Sequence, residues 1–183
     1  VKYDYFYVPD LYSIEECSAL RQKLYTVTEE NIGIIDVPGE KTIKTSEVRF
    51  LKAGHLEEID RVRSAINDVN RNVFGFNCFN YSDNDVLYFN IYDSQYQSQY
   101  SWHNDGVKDQ NFDIKLTALL NLSTESYEGG EFSLFLNGEY PVPEFKNPGS
   151  MIIFPSWIQH SVQPVSKGIR YSMTYFVSGP CFI

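Results

Sequence analysis

From Gly75 onward, short runs rich in Tyr, Phe, Ile, Leu and Val alternate with turn residues to the end of the chain. Runs of this length are too short for stable helices, and each apolar face must be covered by a neighbour, so they read as strands of a packed sheet. The candidate strands are Val86–Tyr92, Ile114–Leu122, Glu131–Leu136, Met151–Phe154, His160–Val165 and Arg170–Val177. Glu128-Gly129-Gly130, Asn137-Gly138, Asn147-Pro148-Gly149 and Ser166-Lys167-Gly168 separate them, each with a glycine that can take a backbone conformation other residues resist. An aromatic content of 16% suits half-buried strands.

The N-terminal part reads differently. Val1–Val8 is an aromatic strand stopped by Pro9-Asp10. Ser13 is an N-cap, with Glu15 and Glu16 in the first helical turn, and Ile14, Cys17, Leu20 and Leu24 fall on one helical face. Residues 26 to 48 read as irregular, with a turn at Pro38-Gly39. A second helix is expected from about Leu56 to Phe74, since Leu56, Ile59, Val62, Ile66, Val69 and Val73 recur at threes and fours. Two helices followed by strands give an α+β, mainly β fold, a sandwich or jelly roll with the helices packed on one sheet. One domain over residues 1–183 is expected, with 1–80 as helical support and 81–183 as the jelly-roll core.

Charge and composition exclude several classes. Twenty-four acidic against 15 basic residues leave a net charge of -9, the wrong sign for a duplex nucleic-acid binder. No run is long and apolar enough for a membrane span, and Val1 to Pro9 has no signal-peptide pattern. Cys17, Cys78 and Cys181 are an odd, scattered set that suits a reducing compartment. A cytoplasmic protein is expected, with no nucleic-acid or membrane partner.

The chain has three histidines, His55, His103 and His160. In Trp102-His103-Asn104-Asp105, an extended backbone would aim the imidazole and the carboxylate to one side. His160 comes 55 residues after Asp105 and opens another candidate strand. Two histidines and one carboxylate on one face of a metal form the facial triad of non-haem iron oxygenases. A lone His-x-Asp is common by chance, and the added weight comes from Arg170, ten residues after His160. If Ser166-Lys167-Gly168 closes a hairpin, Arg170 lies on the strand beside that of His160, with Ser172 on the same face. A buried guanidinium without an acidic partner calls for an anion.

These segments carry a resemblance. Trp102-His103-Asn104-Asp105, Tyr127-Glu128-Gly129-Gly130-Glu131-Phe132, Pro148 to Ser156, His160 to Val165 and Gly168-Ile169-Arg170-Tyr171-Ser172 resemble the Fe(II)/2-oxoglutarate-dependent dioxygenases. Within them the prolyl 4-hydroxylase-like branch, including the bacterial and phage PKHD-type hydroxylases, is the most similar. The resemblance implies a double-stranded β-helix with His103, Asp105 and His160 on Fe(II), and Arg170 on the distal carboxylate of 2-oxoglutarate, assisted by Ser172. It also implies an upstream tyrosine at the cosubstrate, with Tyr92 the candidate and Tyr88 the fallback. The implied reaction consumes 2-oxoglutarate and O2, releases succinate and CO2, and hydroxylates a prolyl residue in a peptide or protein.

Alternatives stand beside it: the same chemistry on a free amino acid or other small molecule, and a non-catalytic jelly-roll binding module. A zinc hydrolase would leave Arg170 unexplained. Monomer and homodimer both stay open, as does bacterial or viral origin, the latter placing the protein in an infected host cell. His55 reads as a surface residue, Trp157 as packing or rim, and Arg49-Phe50 as a surface strand more than a pocket wall. Tyr100 and Trp102 could line a channel, Tyr96 to Gln99 could form a mobile lid, and Ser82 to Asp85 reads as a solvated turn.

Overall fold

The computed structural model describes residues 3–31, 43–106 and 111–181. The expected turn at Pro38-Gly39 lies outside them. In chain order the strands are β1 (Phe6–Val8), β2 (Glu29–Asn31), β3 (Glu47–Lys52), β4 (Val86–Asp93), β5 (Tyr100–His103), β6 (Asp113–Asn121) and β7 (Glu128–Gly129). They continue as β8 (Phe132–Phe135), β9 (Glu139–Pro141), β10 (Met151–Pro155), β11 (His160–Val162), β12 (Val165–Lys167) and β13 (Ile169–Gly179). The α-helices are α1 (Ile14–Val27) and α2 (Ile59–Val69).

A seven-stranded sheet runs β1-β10-β6-β13-β4-β3-β2, a four-stranded sheet runs β5-β11-β8-β9, and β12 pairs with β7. All these pairings are antiparallel. The period-two alternation of the large sheet feeds two cores. Leu87, Phe89 and Ile91 of β4, with Met173, Tyr175 and Val177 of β13, pack against Cys17, Leu20 and Leu24 of α1 and Ile59, Val62 and Ile66 of α2. On the other face, Tyr92, Leu119, Ile152 and Phe154 meet Phe132, Leu134 and Val162 of the small sheet. The helices thus cover one face of the large sheet and the small sheet closes the other, which is the expected jelly-roll arrangement.

Ser13 caps α1 as its sequence suggests. Its hydroxyl accepts from the Glu16 N–H at 3.2 Å, and the Glu16 carboxylate accepts from the Ser13 N–H at 2.8 Å. Ile14, placed on the buried face by spacing, is 56% exposed, and the buried face of α1 begins at Cys17. The second helix is shorter than its periodicity suggests. It ends at Val69 and passes into one wide turn over Asn70–Phe74, closed by Gly75 in the left-handed region. Asn70 stabilises that exit, accepting from the Phe76 N–H and donating to the Phe76 carbonyl.

Four other expectations are corrected. Residues 26 to 48 are not wholly irregular, since β2 and the start of β3 lie there. Strand His160–Val165 divides, because Gln163 and Pro164 break the ladder and the chain leaves the small sheet. Consequently 160–165 and 169–177 are not a hairpin. β11 pairs with β5 and β8, whereas β13 sits between β4 and β6 of the other sheet. Asp85 is more than a solvated turn residue, since it accepts from the Tyr175 hydroxyl at 2.5 Å.

Gly149 marks a point where packing dictates a residue type. Its φ is +74°, and a Cβ there would lie 1.8 Å from the Tyr12 carbonyl oxygen. That carbonyl belongs to the segment whose N–H donates to Gly149 and ties the entry of α1 to the sheet. Gly149→Ala combines strain with a collision and is expected to cost at least about 1–3 kcal/mol. A urea midpoint equal to wild type would contradict this close approach.

Candidate metal and cosubstrate site

β5 and β11 are neighbours in the small sheet, with His103 and His160 as direct cross-strand partners. Their rings lie 4.1 Å apart between centroids. Asp105 follows β5 by two residues, and its N–H donates to the Ser156 carbonyl, fixing the turn that brings its carboxylate back. Its Oδ1 is 3.6 Å from His103 Nε2 and its Oδ2 is 3.4 Å from His160 Nε2. One ligand atom from each of the three residues lies within 4.8 Å of the others.

The tautomers follow from the second nitrogen of each ring. His103 Nδ1 is 2.8 Å from the Ser101 carbonyl and His160 Nδ1 is 3.1 Å from the Ile158 carbonyl, so each Nδ1–H donates to backbone. Each Nε2 then turns a lone pair toward the Asp105 carboxylate. Burial, reinforced by the neighbouring His160, pushes His103 down to about 2, so this imidazole is neutral at physiological pH. Lone pairs facing carboxylate oxygens in a buried place repel unless a cation stands between them. Two imidazole nitrogens and one carboxylate are ligands that suit a divalent transition metal such as Fe(II).

Two hydroxyls complete the surroundings of Asp105. Thr117 donates to Oδ2 at 2.7 Å, and Thr117 and Ser156 hydroxyls are 3.1 Å apart. Phe154 packs edge-on to His160 at 4.8 Å, and Tyr100 stacks on His103 at 3.4 Å. Tyr100 therefore lines the site as one expectation had it, while Trp102 points away and meets Phe135.

A cavity of about 180 Å³ opens in front of the triad. Arg170 and Ser172 lie in its wall, on β13 of the opposite sheet. Arg170 is 2% exposed. Its guanidinium lies 5.1 Å from the Tyr92 ring centre and 5.6 Å from that of Phe145, and one nitrogen donates to Ser172 Oγ at 3.3 Å. Among the described residues no carboxylate comes within ion-pair distance of it. Tyr92 is its cross-strand partner on β4. Tyr88 reaches the same cavity from two turns of the pleat away, so both candidate tyrosines face it. Gly130 admits the arginine, since a Cβ there would lie 3.1 Å from Arg170 Cδ.

Several other expectations resolve here. Phe50 lines the cavity, whereas Arg49 packs against α1, its guanidinium 4.6 Å over the Tyr25 ring. His55 is exposed and is not part of the His103, Asp105 and His160 cluster. Trp157 is half exposed and packs edge-on to Phe76. Within Tyr96 to Gln99, Ser98 is buried and bonded to Thr45, which anchors the base of the expected lid.

Three polar groups in or beside the cavity had no place in the sequence reading. Thr117 supports Asp105, Asn90 bonds Thr174, and Lys44 enters from the segment before β3. The available signal was a polar residue at an alternating position inside an otherwise apolar strand, as with Asn90 in β4 and Thr117 in β6. Lys44 had none, because residues 26 to 48 show no clear period.

Residues 87–178 match the model of the 2OG-Fe(II) oxygenase superfamily, half of the chain. The chain belongs to this superfamily. It is 35% identical over 102 residues to a PKHD-type hydroxylase of Xylella fastidiosa (strain 9a5c), a match covering 49% of this chain and 42% of that one. The chain thus spans less than half the length of this curated relative. The fold is shared with the viral collagen prolyl hydroxylase of Paramecium Bursaria Chlorella virus-1, solved with 2OG, at TM-score 0.74, 17% identity and 97% coverage of both chains. It is also shared with a Trichoplax adhaerens prolyl hydroxylase solved with a hypoxia inducible factor peptide fragment, at TM-score 0.69, 14% identity and coverage of 95% and 83%.

Thr117→Val keeps the shape and removes the hydroxyl that orients Asp105. Outer partners of metal ligands are worth roughly 10–100-fold in metal affinity. Anaerobic Fe(II) titration of this variant is expected to show weakening in that range, and wild-type affinity would remove Thr117 from the site.

Proposed function

We propose that this oxygenase is an Fe(II)- and 2-oxoglutarate-dependent hydroxylase acting on a prolyl residue of a peptide or protein. The observation that carries the reading is the placement, in one cavity, of a buried triad that needs a cation and a buried arginine that needs an anion. On this reading His103, Asp105 and His160 hold Fe(II), and Arg170 grips the distal carboxylate of 2-oxoglutarate with Ser172 and Tyr92 beside it. When bound, iron and 2-oxoglutarate supply an oxidation in which O2 is divided between succinate and the substrate hydroxyl, with release of CO2.

The chain's own groups do the positioning. Arg170 presents a planar fork that matches a carboxylate bidentately, with the Tyr92 and Phe145 rings beside it. Its charge, desolvated with no acidic partner among the described residues, favours a dianionic cosubstrate over a neutral one. The backbone carbonyls of Ser101 and Ile158 keep both imidazoles turned toward the shared point. Leu119, Phe132 and Val162 form an apolar wall that keeps bulk water from the reacting centre. Hydroxylation is supported by the PKHD-type relative, and the prolyl substrate by the prolyl hydroxylases that share the fold.

The test is mass spectrometry of proline-containing peptides incubated with the protein, Fe(II), 2-oxoglutarate and air. The expected result is one added oxygen on proline, matched by succinate and lost in His160→Ala. Succinate without peptide oxidation would redirect the reading to a small-molecule substrate, and no succinate under any condition would overturn it. Arg170→Ala is expected to raise the 2-oxoglutarate concentration for half-maximal turnover by about a hundredfold, the worth of a charged hydrogen-bonded pair. An unchanged requirement would place the cosubstrate elsewhere.

A further inference from the structure

The same cavity holds a second buried cation that the proposed reaction does not use. Lys44 is 8% exposed. Its backbone bridges to Tyr100, and its ammonium lies 4.6 Å over the Tyr100 ring, whose ring also stacks on His103. Asn90 Oδ1 accepts from Nζ at 3.2 Å, and the Asn90 amide is itself anchored on the Thr174 hydroxyl. Among the described residues no carboxylate lies within ion-pair distance of Nζ. An ammonium has three N–H donors. Asn90 takes one and the Tyr100 ring covers one side, so donor capacity remains toward the cavity.

Charge balance says what that capacity is for. Asp105 contributes one negative charge and Fe(II) two positive ones, leaving a surplus of one. Arg170 adds another, and the two carboxylates of 2-oxoglutarate neutralise both. Among the described residues, Lys44 is then the charge left uncompensated in a largely buried pocket. A desolvated charge without a partner is costly, and the substrate is the one component still to enter. Position agrees. Asn90 stands two residues from Tyr92 on β4, so Lys44 is anchored one side-chain step along the cavity floor from the residue paired with Arg170. Val48, Phe50, Tyr88 and Phe176 continue the wall beyond it.

We propose that Lys44 is a substrate-positioning residue that binds a carboxylate of the substrate, so that the oxidised carbon lies close to an anionic group. This rests on the metal and cosubstrate reading above. The carboxylate has two sources, the α-carboxylate of a terminal or free residue and an acidic side chain next to the prolyl residue.

Isothermal titration calorimetry of the anaerobic protein loaded with Fe(II) and 2-oxoglutarate separates them. One arm compares N-acetyl-proline with N-acetyl-prolinamide, and the other compares acetyl-Pro-Glu-amide with acetyl-Pro-Gln-amide. In one arm the carboxylate member is expected to bind about tenfold or more tightly than its amide, as a charged hydrogen bond allows. Lys44→Met is expected to erase the difference and Lys44→Arg to retain it, while both bind 2-oxoglutarate as wild type does. Equal or absent binding of carboxylate and amide in both arms would overturn the proposal. So would a preference surviving in Lys44→Met, or a tenfold loss of 2-oxoglutarate affinity there, which would assign Lys44 to the cosubstrate. Failure of wild type to bind 2-oxoglutarate in an iron-dependent way would instead be failure of the underlying reading.

Discussion

Two imidazole lone pairs face a carboxylate inside the protein, and this repulsion is the interaction around which the rest of the structure is arranged. His103 and His160 each use Nδ1 on a backbone carbonyl, and both Nε2 atoms approach Asp105 at 3.4–3.6 Å. No hydrogen bond relieves that approach at His103, whose imidazole is kept neutral by burial. A metal ion at the common point does, by turning three mutually repelling donors into ligands. The small sheet holds the two histidines in register, and the turn after β5 brings the carboxylate to them.

The large sheet supplies the opposite demand. Arg170 is fixed on β13 with its cross-strand partner Tyr92, and the helices on the far face hold that sheet through a separate core. Cation-seeking and anion-seeking groups therefore sit on different sheets, facing each other across one cavity. A ligand with a chelating end and a free carboxylate spans such a gap. At Gly130 the chain passes close to the Arg170 stem, whereas at Gly129 it passes close to the Pro164–Ser166 backbone, where a Cβ would lie 2.2 Å from the Pro164 carbonyl oxygen.

Much of this was legible in the sequence. The triad could be read because its three residues carry unusual chemistry and fall at strand ends. The α1 start was legible because Ser13 and Glu16 satisfy each other locally. Arg170 lies buried in the wall of the cavity that holds the triad, but not through the hairpin its spacing suggested. Spacing shows that two strands follow each other, and it does not show that Gln163-Pro164 sends the chain into the other sheet. Lys44 and Thr117 were not legible, since each gains its meaning from a partner far away in sequence, Asn90 for one and Asp105 for the other. The early end of α2 also depends on a tertiary feature, the Asn70 side chain bonding to Phe76.

The central claim is that one cavity joins a metal triad to a carboxylate-binding arginine. Anaerobic titration with Fe(II) and then 2-oxoglutarate, followed through the visible charge-transfer band of the chelate, tests it directly. The account predicts a band in wild type, none in Asp105→Ala, and a band in Arg170→Ala only at much higher 2-oxoglutarate. Iron binding that survives in Asp105→Ala with an unchanged band would contradict it.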